Sequence, residues 1–132
     1  MNIVHDKPPN WDELVAAFPR AAELSRLYCA WGDRIYSIAG DTPPPEIMAH
    51  EYVHCARQKD DVRGWWRRYI DDPVFRLKEE VQAHKAEFAR IALGVRDRNR
   101  RARLLSVTAT RLAAPLYGGV ISYQDALCLL RA

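Results

Sequence analysis

His50-Glu51-Tyr52-Val53-His54, HExxH in one-letter form, is the stretch from which the rest of the chain is read. On a helix, residues four apart stack on one face. Two imidazoles at those positions can reach one metal ion. Glu51 is rotated aside by about 100°, so it is a poor third ligand but can touch a water on that ion. Gly40-Asp41-Thr42-Pro43-Pro44-Pro45 comes just before. Prolines are tolerated in a helix's first turn, where N–H groups have no internal partner, so the spacing predicts a helix from about Pro44 to Lys59. Met48, Tyr52, Cys55 and Ala56 fall on the side away from the histidines, and Glu46, Arg57 and Gln58 fall near them. The expected helix packs by its apolar back and presents the histidines to a cleft.

A third ligand is sought on the next long helix. Asp71-Asp72-Pro73 is a start signal, with Asp as cap and Pro in the first turn, and Gly94 is a stop. Between them Val74, Leu77, Val81, Phe88 and Ile91 form a stripe at helical spacing, and His84 falls within it. Glu80 lies about 70° from the stripe centre, beside His84, whereas Glu79 lies nearly opposite and is expected in solvent. Glu80 is therefore the expected third ligand, whereas a lone His84 within the stripe reads as a satisfied core histidine. Two histidines and one carboxylate leave a fourth position open, the pattern of a catalytic zinc site.

The remaining chain supplies a small scaffold. Asn10 and Glu13 are spaced as a capping box, with a short helix to about Phe18 before Pro19. Leu24 to Trp31 and Arg34 to Ala39 read as strands of a hairpin turned by Gly32-Asp33. Asp60 to Gly64 is expected to break the chain before Trp65-Trp66-Arg67-Arg68-Tyr69, read as aromatic anchors into the core on a solvated face. A helix from the Asp97 region to Ala114 and another opened by Ser122 complete the chain. Asp97 to Arg103 is arginine-rich; it reads as a solvated helix start, with a phosphate-binding patch as the sharper alternative.

Composition narrows the class. A chain of 132 residues suits one domain with one core, and 48% hydrophobic with 28% charged residues is that of an ordinary globular protein. The formal charge of +3 demands neither nucleic acid nor membrane, and no partner of either kind is expected. No apolar run approaches the roughly 20 residues that span a bilayer, and the N-terminal residues lack the apolar core of a secretory signal. The three cysteines, Cys29, Cys55 and Cys128, have no CxxC spacing and are expected as reduced thiols in a cytoplasmic setting.

The HExxH helix with Glu80 on a later helix resembles the gluzincin arrangement of zincin metallopeptidases. The metzincin form differs, because it needs a His and a Gly soon after the motif where this chain has Gln58-Lys59-Asp60. The chain also resembles small single-domain HExxH proteins encoded by bacteria and their phages. Gly32-Asp33-Arg34-Ile35-Tyr36, the Trp65 to Tyr69 stretch and the Phe75 to Glu80 stretch carry that likeness, which runs from about Tyr28 to Tyr123. The resemblance implies a single zincin-like domain over residues 1–132, α+β and mostly helical, with a small hairpin against the HExxH helix. It implies Zn²⁺ on His50, His54 and Glu80, Glu51 as general base, and a peptide or protein substrate. An inactive zinc-containing phage or prophage interaction protein is the alternative. Many gluzincins place an Asp four residues after the ligand Glu to brace a histidine; here that position is His84, which the departure makes a rival to Glu80 as third ligand. Tyr69, Arg76, His84, Tyr117 and Tyr123 are the candidates for the outer shell or for stabilising an oxyanion.

Overall fold

Gly32-Asp33 turns the chain back on itself. The computed structural model, which describes residues 2–132 apart from the Tyr117 side chain, pairs β2 (Tyr28–Trp31) antiparallel with β3 (Arg34–Ser37), Cys29 opposite Tyr36 and Trp31 opposite Arg34. Gly32 has φ +66°, the left-handed conformation that a two-residue hairpin loop requires. Both strands are shorter than the sequence suggests. β1 (Asn2–Val4), which the sequence analysis does not anticipate, lies parallel to β3 with Ile3 opposite Ile35. Three residues are too few to show an alternating pattern. The order β1-β3-β2 leaves β3 central and β2 on an edge.

The helices are α1 (Trp11–Ala17), α2 (Pro45–Gln58), α3 (Val62–Asp71), α4 (Pro73–Ile91), α5 (Arg98–Leu112) and α6 (Tyr123–Arg131), with 3-10 turns at Pro19–Glu23 and Pro115–Tyr117. Among the described residues this is an α+β fold, mostly helical with one small sheet, as the sequence predicts. Asp72 accepts from the N–H groups of Val74 and Phe75, Asp97 from those of Asn99 and Arg100, and Ser122 from that of Asp125. Each satisfies donors that a helix start leaves orphaned. The first expected box does not form: Asn10 makes no capping bond and its side chain is buried. The expected break at 60–64 is also shorter. The chain pauses at Lys59 (φ +53°), and Asp61 then accepts from Gly64 N–H at 3.0 Å, so Gly64 sits in the first turn of α3.

Two apolar clusters flank α4. One joins Leu14, Cys29, Tyr36, Trp65, Trp66 and Tyr69 beside the sheet; the other joins Val81, Leu105, Ala109, Leu112, Ala126 and Leu130 beneath α5 and α6. Between them α2 and α4 meet along a polar seam. The expected orientation of α2 is thereby corrected. His50, Glu51, His54 and Gln58 are buried together with Cys55, whereas Tyr52 and Ala56 face outward. Opposing carboxylates on α4 make this possible, because a buried imidazole is tolerated only with a partner. Gln58 serves the sheet: its Oε1 accepts from Gly32 N–H at 2.7 Å and its Nε2 donates to the Ala30 carbonyl at 2.9 Å. It clamps the hairpin to the end of α2. No described helix is long and apolar enough to cross a membrane.

Candidate metal centre

Helix spacing sets His50 above His54, and their rings lie 4.9 Å apart, centre to centre. α4 runs across them and inserts Glu80 between the two. His54 Nε2 lies 2.8 Å from Glu80 Oε2, and His50 Nε2 lies 3.3 Å from Glu80 Oε1. All three residues are buried, and one ligand atom of each falls within 4.8 Å of the others. These are the ligands expected from the sequence, and the geometry brings them to one point. The donor set also fits a cation chemically. Two imidazoles and a carboxylate suit a divalent transition metal. Glu80 Oε1, although buried, makes no well-formed hydrogen bond, and the groups facing it, His50 Nε2 at 3.3 Å and His84 Nδ1 at 3.5 Å, are imidazole nitrogens able to share a cation with it.

The surrounding shell is largely made by residues that the sequence pattern does not single out. Glu87 is buried, and its Oε1 lies 3.1 Å from His50 Nδ1. Arg111 of α5 donates to Glu87 through Nε at 2.9 Å and Nη2 at 3.3 Å. A carboxylate on the far nitrogen of a ligating histidine fixes the ring and leaves its other nitrogen facing inward. The signal for Glu87 was present: Glu80, His84 and Glu87 stand at i, i+4 and i+7 on one helix face. Glu79 corrects another expectation. It is buried, accepting from Trp65 Nε1 at 2.7 Å and pairing with Arg57 Nη2 at 2.7 Å. Thus held, the Trp65 ring packs 5.2 Å from that of His54.

The other candidates divide by position. Tyr69 is at the centre, donating its hydroxyl to Glu80 Oε2 at 2.9 Å. His84 is fully buried with its ring 4.6 Å from that of His50; its Nδ1 lies 2.8 Å from the Glu80 carbonyl and 3.5 Å from Glu80 Oε1. It also forms a second cluster with His50 and Glu87 whose donor atoms lie within the same 4.8 Å. Arg76 stands one layer out, donating to the Tyr69 and Ile70 carbonyls at the end of α3 and lying over the Phe18 ring. Tyr123 is in the second apolar cluster with its hydroxyl 2.7 Å from Ser106 Oγ. The Tyr117 side chain falls outside the described residues.

Charge within the cluster is finely opposed. Burial works against a proton on His50, but Glu80, Glu87 and Glu51 outweigh it and push the pKa up to about 10. Burial would raise Glu80 too, yet His54 and His50 hold it well below the ordinary carboxylate range. Glu87 is lowered likewise, burial being overcome by its bond to His50 and by Arg111. Burial lowers His84 to about 4, with the neighbouring charge on His50 adding to the effect. Glu51 differs: burial raises its pKa, with His50 and His54 opposing. A carboxyl nearer neutrality is better matched to taking up and releasing a proton.

Two openings meet at His50 and Glu51. A small cavity of about 60 Å³ runs under the hairpin and is lined by Leu14, Cys29, His54, Trp65 and Tyr69 among others. A larger groove of about 520 Å³ passes over them between Leu24, Tyr28 and Ile47 on one side and Val107 and Arg111 on the other. Leu27, Tyr28 and Leu116 border both. Comparison with family models, with curated proteins and with solved structures gives no match for this chain.

Proposed function

We propose that this protein is a zinc-dependent peptide hydrolase of the gluzincin type that its sequence resembles. His50, His54 and Glu80 would hold the ion, and the convergence of these buried donors beside Glu51 is the observation that carries the reading. When bound, zinc supplies Lewis acidity and brings the pKa of water down to about 7. Glu51 borders both openings, so it can take the proton of an attacking water and deliver it to the departing amine. The groove of about 520 Å³ has room for part of a peptide, and β2, an edge strand, supplies Tyr28 to its wall. The apolar cavity below accommodates a side chain next to the scissile bond. Among the described candidates, Tyr69, bonded to Glu80, is the hydroxyl that touches the ligand set.

The test combines metal content by elemental mass spectrometry with hydrolysis of a quenched fluorescent peptide library. Glu51→Gln should retain one zinc per chain and lose at least about a hundredfold in rate. His50→Ala, His54→Ala and Glu80→Ala should lose zinc. Retention of zinc by Glu80→Ala together with its loss in His84→Ala would overturn the ligand assignment. A second reading, a closed structural zinc site in an interaction protein, is favoured by one observation, the buried His84 ring against His50. Stoichiometric zinc with no hydrolysis, and loss of zinc in His84→Ala, would establish it over the first.

A further inference from the structure

Charge is distributed very unevenly along this chain. Residues 90–103 contain six arginines and one acidic residue, a surplus of five on a chain whose formal charge is +3. The other residues together are therefore slightly acidic. All six arginines, Arg90, Arg96, Arg98, Arg100, Arg101 and Arg103, are exposed. The single carboxylate, Asp97, is engaged as the α5 cap. Arg101 donates to the Ala92 and Val95 carbonyls and ties α5 to the end of α4. The arginines that pair with acids in the described residues lie elsewhere: Arg26, Arg34, Arg57 and Arg111.

The placement runs against the intrinsic electrostatics of the helix. The first turn of α5 holds arginines and no acidic residue. The start of a helix carries roughly half a positive charge, so cations there are unfavourable, the reverse of the usual bias. The arginines ring the exposed start of α5 rather than one side of it, and with the helix dipole they concentrate positive potential at this end of the helix. We propose that this surface, formed by the α4–α5 turn and the N-terminal half of α5, binds the phosphate backbone of a duplex nucleic acid without reading its sequence.

Three observations favour that partner. Guanidinium forks match phosphate oxygens bidentately, and every cation of the segment is arginine. Single strands require aromatic platforms, but Trp65, Trp66 and Tyr69 are buried in the core rather than exposed beside the arginines. A membrane surface requires an apolar face to insert, but Leu105, Ala109 and Leu112 of α5 are already buried against α4 and α6, and the exposed Leu93, Val107 and Leu129 lie on three different segments, the α4–α5 turn, α5 and α6. α5 also forms one wall of the groove through Val107 and Arg111. Arg103 precedes Arg111 by eight residues, about 12 Å of helix. A bound duplex would hold the groove close to proteins on the same nucleic acid. This partner revises the expectation drawn from the modest overall charge.

The experiment is fluorescence anisotropy of the full chain with a labelled 20-base-pair DNA duplex and the matching RNA duplex, from 50 to 200 mM NaCl. With about five phosphates neutralised, log affinity should fall against log salt with a slope of roughly −4 to −5, a loss of several hundredfold across that range. Arg98→Ala/Arg100→Ala/Arg103→Ala should reduce the slope to about −2 and weaken binding at 50 mM at least about tenfold. The same variant should melt no lower than the parent, because removing cations from a helix start relieves repulsion. Arg63→Ala/Arg67→Ala/Arg68→Ala, on the exposed side of α3, should change much less. The proposal is overturned if neither duplex binds at 50 mM NaCl, or if the α5 variant binds as the parent does. It is overturned equally if the α3 variant loses as much, or if phosphatidylserine vesicles or polyglutamate outcompete both duplexes. DNA and RNA share the backbone chemistry, and their relative affinity identifies the source.

Discussion

At the scale of single residues, the charge on His50 is the sharpest feature. Its pKa of about 10 means that the ring is protonated at neutral pH when only carboxylates face it. A metal ligand must be neutral, so zinc has to displace that proton. Titration of zinc into EDTA-treated, dialysed protein at pH 7.5, in buffers of differing ionisation enthalpy, should show release of about one proton per zinc from this ring. Apparent affinity should then rise about tenfold per pH unit up to about pH 10. Proton-independent uptake would mean that His50 is not a ligand. The Glu87 carboxylate and Arg111 hold this ring from its far side and would not themselves touch a bound ion. Glu87→Gln should weaken zinc about 10–100-fold in chelator competition, whereas removal of a ligand should abolish binding. Glu80 was legible because helix geometry relates it to His84 and to a motif upstream. Glu79 was misplaced because a wheel assumes one buried face, and its partners Arg57 and Trp65 come from two other helices.

At the scale of elements, the polar end of α2 organises the hairpin. Gln58 bonds to Gly32 N–H and the Ala30 carbonyl across 26 and 28 residues of sequence. Gln58→Ala leaves the half-buried Gly32 N–H without its acceptor, while the Ala30 carbonyl keeps Trp66 Nε1 at 3.0 Å. Losing a hydrogen bond at a half-buried donor costs about 1 kcal/mol, so urea unfolding should show a loss of that order. A loss below about 0.5 kcal/mol would show that the clamp is dispensable. Helix starts were legible here because Asp72, Asp97 and Ser122 act locally, each on an N–H two or three residues on. Asn10 offered the same signal without making the bond, since its side chain is drawn into the interior. The arginines of α5 act at this scale too, through an unfavourable but exposed helix start.

At the scale of the molecule, a titratable cluster buried between two apolar cores couples stability to pH. His84 has a folded pKa of about 4 against about 6.5 when exposed. Its contribution is complete above pH 6.5 and is lost as pH falls toward 4, roughly 3 kcal/mol in all. The lowered carboxyls of Glu79, Glu80 and Glu87 act in the same direction at lower pH. His50 acts oppositely: its raised pKa stabilises below 6.5, and that contribution fades as pH rises through about 10. EDTA-treated protein should therefore be most stable near pH 6.5, as measured by urea unfolding between pH 4 and pH 10. Monotonic stability across that range would contradict the burial of this cluster.

The amino-acid order by itself determined the motif helix, the hairpin turn, the long helix with Glu80 on it, and the mostly helical class. These rest on periodicity and on caps that act within a few residues. Only the tertiary structure decided that α2 buries its polar face, that Glu79 and Glu87 lie inside, and that β1 completes the sheet. Each depends on what a distant segment presents. α4 touches α2, α3, α5 and α6 in turn, so its residues face protein on several sides. Which of its charges find partners is set by the packing of the other helices around it.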